Sequence, residues 1–139
     1  GGLLTPSNLL FVQVFARPVE KQTPAEARVT VLGILGRGKK LIEDETLNEL
    51  AEREVEALDD DVPPDVLAEI GKRSLAKAKQ AGVQTNGLIC TGQRVVAASE
   101  YTPPAAVGAM GTLRIGLAVA EAKDEKGHPA VKVLLLIAN

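Results

Sequence analysis

Large apolar residues occupy every second position near the C-terminal end of the chain, at Leu113, Ile115, Leu117 and Val119. This period of two predicts a strand, because successive strand side chains point to opposite faces of a sheet. A polar segment ending at Gly127 predicts a turn. Residues 131–137 then form a nearly unbroken apolar run, which is typical of a buried strand. We therefore predict a C-terminal hairpin; a single helix over residues 103–125 is the alternative that the glycines of this segment disfavour.

Two central segments show the helical period instead. Thr46 and Glu49 have the spacing of a capping box and predict the start of the first helix. Pro63 and Pro64 predict the start of the second, and Gly82 predicts its end. Both segments carry one apolar stripe, composed of Leu47, Leu50, Ala51, Val55 and Leu58 in the first and of Val66, Leu67, Ile70, Ser74, Leu75 and Ala78 in the second.

The remaining strands are predicted from short apolar runs at residues 8–17, 28–35, 87–90 and 95–99. A short helical or irregular segment is expected at residues 105–110. The chain is thus predicted to be a single α+β domain over residues 1–139, with a mainly antiparallel sheet of about six strands and two helices packed on one face. Residues 1–7 are expected to be flexible or a remnant of expression.

Composition narrows the function classes. The chain has 139 residues, a formal net charge of -2 and a 2% aromatic fraction. This charge balance disfavours nucleic acid as a partner, since nucleic-acid surfaces need concentrated positive charge. The apolar runs are too short to span a bilayer, so no membrane partner is expected. With one cysteine and no exporting segment in the sequence, the cytoplasm is the expected location.

Nucleophilic and metal chemistry have few candidate residues. Cys90 ends an apolar run and is expected to be a small core residue, because the sole histidine, His128, lies in the distant hairpin turn. The acidic residues 59–61 are expected to form a solvated turn between helices. One cysteine and one histidine do not suffice for a usual zinc site, so neither a metal nor a cofactor is predicted.

Anion binding is the remaining candidate chemistry, and we nominate Arg37, Arg94, Tyr101 and Arg114 as ligand-binding residues. Arg37 lies in a Gly-Arg-Gly-Lys-Lys segment whose glycines would let the backbone approach an anion. Arg114 interrupts the small-residue face of the predicted strand, so it needs an anionic partner if that face is covered. That partner could be a protein carboxylate or a ligand, and a solvent-facing arginine is the simpler interpretation.

Two functional hypotheses follow. The first is a non-catalytic binding or assembly protein that forms a homo-oligomer through the small-residue face at Gly116, Ala118 and Ala120, and that can take a small anionic ligand. The second is a small enzyme that binds an anionic substrate through Arg94 or Arg114. Its chemistry would come from one of three residues, namely Cys90, Glu100 or Tyr101. The first hypothesis is favoured.

Overall fold

The computed structural model describes residues 23–139. Three helices are present in this range: α1 (Pro24–Leu35), α2 (Glu45–Ala57) and α3 (Pro64–Gln80). Four strands accompany them: β1 (Lys40–Glu43), β2 (Leu88–Val95), β3 (Thr112–Lys123) and β4 (Pro129–Ala138). Two short 3-10 turns, Ala98–Glu100 and Ala105–Ala109, connect β2 to β3. The α+β class is confirmed, whereas the predicted strand at residues 8–17 lies outside the described residues.

The four strands form one mixed sheet in the order β1-β3-β4-β2. β3 and β4 make the predicted antiparallel hairpin, with Leu117 opposite Leu135. β2 pairs antiparallel with the other side of β4, and Cys90 lies opposite Leu136. β1 pairs parallel with the first residues of β3 and stops at Glu43, opposite Ile115. The described residues therefore form four strands, where about six were predicted for the whole chain. Two of the three pairings are antiparallel, in line with the prediction, and β1, which was not predicted, adds a parallel pairing.

The predicted strand at residues 28–35 is wrong, because this segment belongs to helix α1. Thr23 and Glu26 form a complete capping box, and Pro24 occupies the first turn, where its missing N–H costs nothing. The buried residues are Ala27, Val31 and Leu35, which are four apart and share one helix face. These signals outweigh the β-branched residues that suggested a strand.

The two central helices agree with their predicted stripes. In α2 the residues Leu47, Leu50, Ala51 and Val55 are buried, and Leu58 follows them. The cap is Asp44 rather than Thr46: the Asp44 carboxylate accepts a hydrogen bond from the Leu47 N–H at 3.1 Å. α3 begins at Pro64 as predicted, and Gly82 follows its end with φ +90°.

The two short strands predicted at residues 87–90 and 95–99 are wrong, because one continuous strand, β2, replaces them. Gly92 lies inside this strand and not in a turn. A Cβ at this position would come within 2.6 Å of Val62 and 2.8 Å of Leu67, so glycine lets α3 approach the strand closely.

The two predicted helices, α2 and α3, pack on one face of the sheet as expected, and the helix α1, which was not predicted, covers the other face. Large alternate residues of β3 and β4, such as Leu117 and Leu135, pack in a core with α1 and the 3-10 turns. Ala118, Leu134 and Leu136 pack on the opposite face with α2 and α3. The face of Gly116, Ala118 and Ala120 is thus occupied from within the chain, so it does not support the predicted oligomer interface.

Candidate functional site

Arg114 has a protein carboxylate as its partner. Its Nε and Nη2 atoms donate to Asp44 Oδ2 at 3.0 and 2.7 Å, and its Nη1 donates to the Gln84 carbonyl at 3.2 Å. Burial alone would raise the pKa of Asp44, but hydrogen bonds from Leu47 and Arg114 outweigh it and hold the pKa below its ordinary value. The arginine therefore ties the start of α2 to β3.

Arg94 is also bonded within the chain. Its guanidinium donates to the Lys123 carbonyl at 3.0 Å and lies 3.8 Å from the Glu125 carboxylate, at the turn of the hairpin. Arg94 pairs with Lys132 of β4, whereas Arg114 lies opposite Ala138. At about 3.3 Å per residue these register positions are on the order of 20 Å apart along the sheet. The structure does not bring the two arginines to one small ligand.

Tyr101 and Arg37 lie in contrasting surroundings. Tyr101 is buried, and burial raises the pKa of its phenol to about 12 even though it shares a hydrogen bond with Thr91. Arg37 is exposed, in the turn between α1 and β1. None of the four nominated residues therefore shares a site with another among the described contacts.

The candidate catalytic residues are equally separate. Burial, followed by the nearby Glu54 carboxylate, raises the pKa of the Cys90 thiol to about 12. Cys90 lies opposite Leu136, while His128 precedes β4, so they are roughly 25 Å apart along the sheet. Glu100 accepts a hydrogen bond from the Ala97 N–H at 3.1 Å, which orders the 3-10 turn after β2.

Glu54 and Arg73 form a charged pair that the sequence analysis did not single out. Glu54 of α2 is buried and accepts from Arg73 of α3 through both carboxylate oxygens, at 2.5 and 2.8 Å. The hydrogen bond from Arg73, and then its charge, lower the pKa of Glu54 despite burial. This pair joins the two helices on their shared face of the sheet. Its spacing across two separate helices left no signal in the sequence.

Acidic side chains near the hairpin turn are also paired with other groups of the chain. Asp60, in the predicted acidic turn, accepts from Lys132 Nζ at 3.3 Å and from the Lys123 N–H at 3.2 Å. His128 lies 3.5 Å from the Asp124 carboxylate. Among residues 23–139, no group of three or more His, Cys, Asp or Glu side chains could hold a metal ion.

Where β1 ends, side chains make hydrogen bonds to the exposed main-chain edge of β3. Asn48 Oδ1 accepts from the Leu117 N–H at 2.9 Å, and Arg28 Nε donates to the Leu117 carbonyl at 3.3 Å. Asp60 accepts from the N–H of Lys123 at the end of the same strand. Side chains thus bond the main-chain groups of Leu117 and Lys123, where a neighbouring strand would otherwise do so. β1, the other strand on this side, has four residues and carries charge at both ends.

The opposite edge, formed by β2, has eight residues and a different character. The Asn139 N–H donates to the Gly87 carbonyl at 3.0 Å, so odd-numbered residues direct their main-chain groups toward β4. The groups of Leu88, Cys90, Gly92 and Arg94 consequently point away from the sheet. Within the described range, no strand lies on that side of β2.

Half-buried side chains of α3 run alongside this edge. Leu67 packs at Gly92, and Gly71 packs against Cys90, where an added Cβ would be 3.2 Å from the cysteine Cβ. Leu75, one helical turn further, is also half-buried. We call the outward main-chain groups of residues 88, 90, 92 and 94, together with Leu67, Gly71 and Leu75, the β2 edge surface. Arg94 is the charged member of this set, and the Glu54–Arg73 pair lies close enough to Cys90 to act on its thiol.

Comparison with known proteins gives no functional information: no family model, curated protein or solved structure matches the chain. Within residues 23–139, no helix has the length and apolar character needed to cross a membrane.

Proposed function

We propose that the chain is a non-catalytic binding or assembly protein that self-associates, and that the β2 edge surface is its interface. The observation that supports this is the difference between the two sides of the sheet. Side chains of Arg28, Asn48 and Asp60 bond the edge of β3, while β2 extends eight residues with no strand beside it in the described range. A long, sparsely charged edge offers unpaired main-chain groups to another chain.

The proposed site differs from the one expected from the sequence. Because α2 and α3 cover the face of Gly116 and Ala118, association is assigned to the edge and not to that face. The chemistry of the nominated residues agrees with a non-catalytic role. The raised pKa of Cys90 leaves little thiolate at neutral pH, and burial keeps Tyr101 in its neutral form.

A small anionic ligand is a secondary proposal. Arg37 is the exposed member of the nominated set, and Lys39, two residues on, bonds the Met110 carbonyl at 2.6 Å, which positions the turn. Arg94 and Arg114 already bind protein oxygen atoms. Isothermal titration with inorganic phosphate, comparing the parent chain with Arg37→Ala, tests this proposal; equal heats for both proteins would reject Arg37 as the binding residue.

Association through the edge is tested by light scattering at micromolar concentration. Arg94→Pro removes an outward N–H without removing a bond to β4, so it should shift the protein to monomer. Arg94→Ala keeps that N–H while losing the same side chain, and it should remain associated. Val119→Pro, at the edge of β3, is the matched control and should also remain associated. A parent protein that scatters as a monomer, or equal dissociation by both Arg94 variants, would reject the proposal.

A further inference from the structure

The helix α1 is apolar on two sides, although the described residues bury one of them. Ala25, Val29 and Gly33 follow one another at four-residue spacing on the side opposite the buried one. Val29 is 70% exposed, and the neighbouring Leu32 is half-buried. We call Ala25, Val29, Leu32 and Gly33 the α1 outer surface. Helices that are apolar all round are typically buried all round, so this surface is expected to have an occupant.

The α1 outer surface has no charged residue that would favour contact with water. The charged residues of α1 are Glu26 and Arg28, and both are bonded within the chain. Glu26 accepts from the Thr23 hydroxyl at 2.8 Å in the capping box. Arg28 pairs with Glu43 and donates to the Leu117 carbonyl at 3.3 Å. The surface therefore fits an apolar occupant and offers no ionic contact to a charged one.

A cavity of about 240 Å³ adjoins the N-terminal end of this surface. Its lining includes Ala25 of α1, Val55 of α2 and Val119 of β3. It lies along β3 beyond the last residue that pairs with β1, so no strand within residues 23–139 fills it. Pro24 is also part of the lining, and the chain that precedes Thr23 therefore leaves α1 at the rim of this cavity.

The chain before Thr23 contains an apolar run of the right kind and at the right distance. Residues 8–17 include Phe11 and Phe15, two of the three aromatic residues of the chain, and such a run gains stability by leaving water. The six Cα steps from residue 17 to residue 23 span at most about 20 Å. Since the twelve residues of α1 are about 18 Å long, the run can reach the cavity and the whole outer surface.

We infer that residues 8–17 of the same chain pack on the α1 outer surface and fill its adjoining cavity, so that α1 is buried on both sides. The β2 edge is a more distant place for this run, because β4 lies between β3 and β2. The inference is independent of the proposed self-association, which uses that opposite edge of the sheet.

Thiol labelling of the full chain tests whether the surface is covered. In a Cys90→Ala background, Val29→Cys is compared with the matched control Val96→Cys, which replaces a valine that is 36% exposed. A bare Val29→Cys would react at least as fast as the control, since position 29 is the more exposed. We expect it to react at least tenfold more slowly, and equal or faster labelling overturns the inference.

The labelling is carried out at a concentration where light scattering shows a monomer, so that the cover must come from the same chain. Protection of Val29→Cys that appears only at concentrations where the chain associates would assign the surface to a second copy and overturn the inference. Circular dichroism must show that each variant is folded.

Replacing the aromatic rings identifies the occupant. Adding Phe11→Ser and Phe15→Ser to the Val29→Cys protein should speed its labelling at least fivefold, whereas adding Leu3→Ser and Leu4→Ser, outside the run, should leave it slow. Labelling that stays slow in folded protein without both rings overturns the assignment to residues 8–17.

A fluorescence measurement supplies a second test that keeps the run apolar. The chain has no tryptophan, so Phe15→Trp adds a single reporter. Its emission should lie to the blue of the denatured protein, and Val29→Asp should shift it to the red while Val96→Asp leaves it unchanged. Emission that responds to Val96→Asp, or to neither variant, places the run away from α1 and overturns the inference.

Discussion

Replacing Gly116 with alanine tests which surface of the sheet is already occupied by the chain's own helices. A Cβ at Gly116 would overlap the carbonyl carbon and oxygen of Leu47, a fully buried residue in the first turn of α2. Backbone cannot rotate away as a side-chain end can, so α2 would have to shift. Overpacking of this kind costs about 1–3 kcal/mol or more, and the loss of glycine entropy from the unfolded chain returns about 0.4–1 kcal/mol.

We therefore expect Gly116→Ala to lower the free energy of unfolding by about 2 kcal/mol or more, and to lower Tm by several degrees. Gly111→Ala is the matched control: an added Cβ there has no neighbour within 4 Å, so its stability should stay within about 1 kcal/mol of the parent. Denaturant unfolding of all three proteins should use one protein concentration, because association adds to apparent stability. Equal stability of the two variants would show that α2 does not pack on this face.

Three further predictions concern the core and the charged pairs. Leu117→Ala should lower the free energy of unfolding by about 2–5 kcal/mol, since Leu117 is fully buried; a loss below about 1 kcal/mol in denaturant unfolding would mean that the hairpin register is wrong. Cys90, with its pKa raised to about 12, should react with a thiol reagent far more slowly in the folded chain than in denaturant, and comparable rates would contradict its surroundings. Asp44→Asn should cost about 1 kcal/mol or less at neutral pH, because Arg114 is partly exposed. Because folding lowers the pKa of Asp44, the loss of stability should be present at pH values above 3.8, the ordinary pKa of the carboxyl group, and should disappear as the pH falls through the pKa of the folded state. A stability difference between Asp44→Asn and the parent that is the same at pH 7 and pH 2.5 would refute the role of the ion pair.

Local patterns predicted the elements whose burial follows a simple period. The alternation from Leu113 to Val119 identified β3, and the stripes of α2 and α3 identified both helices, because each of these elements buries one regular face. The period did not reveal that the small-residue side of β3 is also buried. Gly116 is small because Leu47 approaches it, and that contact between distant positions leaves no local signal.

The errors have similar causes. The β-branched residues near Val29 suggested a strand, but the Thr23 and Glu26 capping box made the segment helical. Four-residue β1 is too short and too charged to show a period, although it makes the one parallel pairing among residues 23–139. A protein carboxylate was one of the partners considered for Arg114, and Asp44 occupies that place, whereas the favoured interpretation was a solvent-facing arginine. The proposed interface could not be predicted because it depends on which edge of the sheet β2 occupies.

Hydrogen exchange along β2 tests the central proposal most directly. Odd-numbered amides from Ile89 to Val95 bond β4 and should be protected at every protein concentration. The outward amides of Leu88, Cys90, Gly92 and Arg94 should be protected in the associated protein and should lose that protection on dilution to monomer. Rapid exchange of these four amides at concentrations where light scattering shows a dimer would contradict association through the β2 edge.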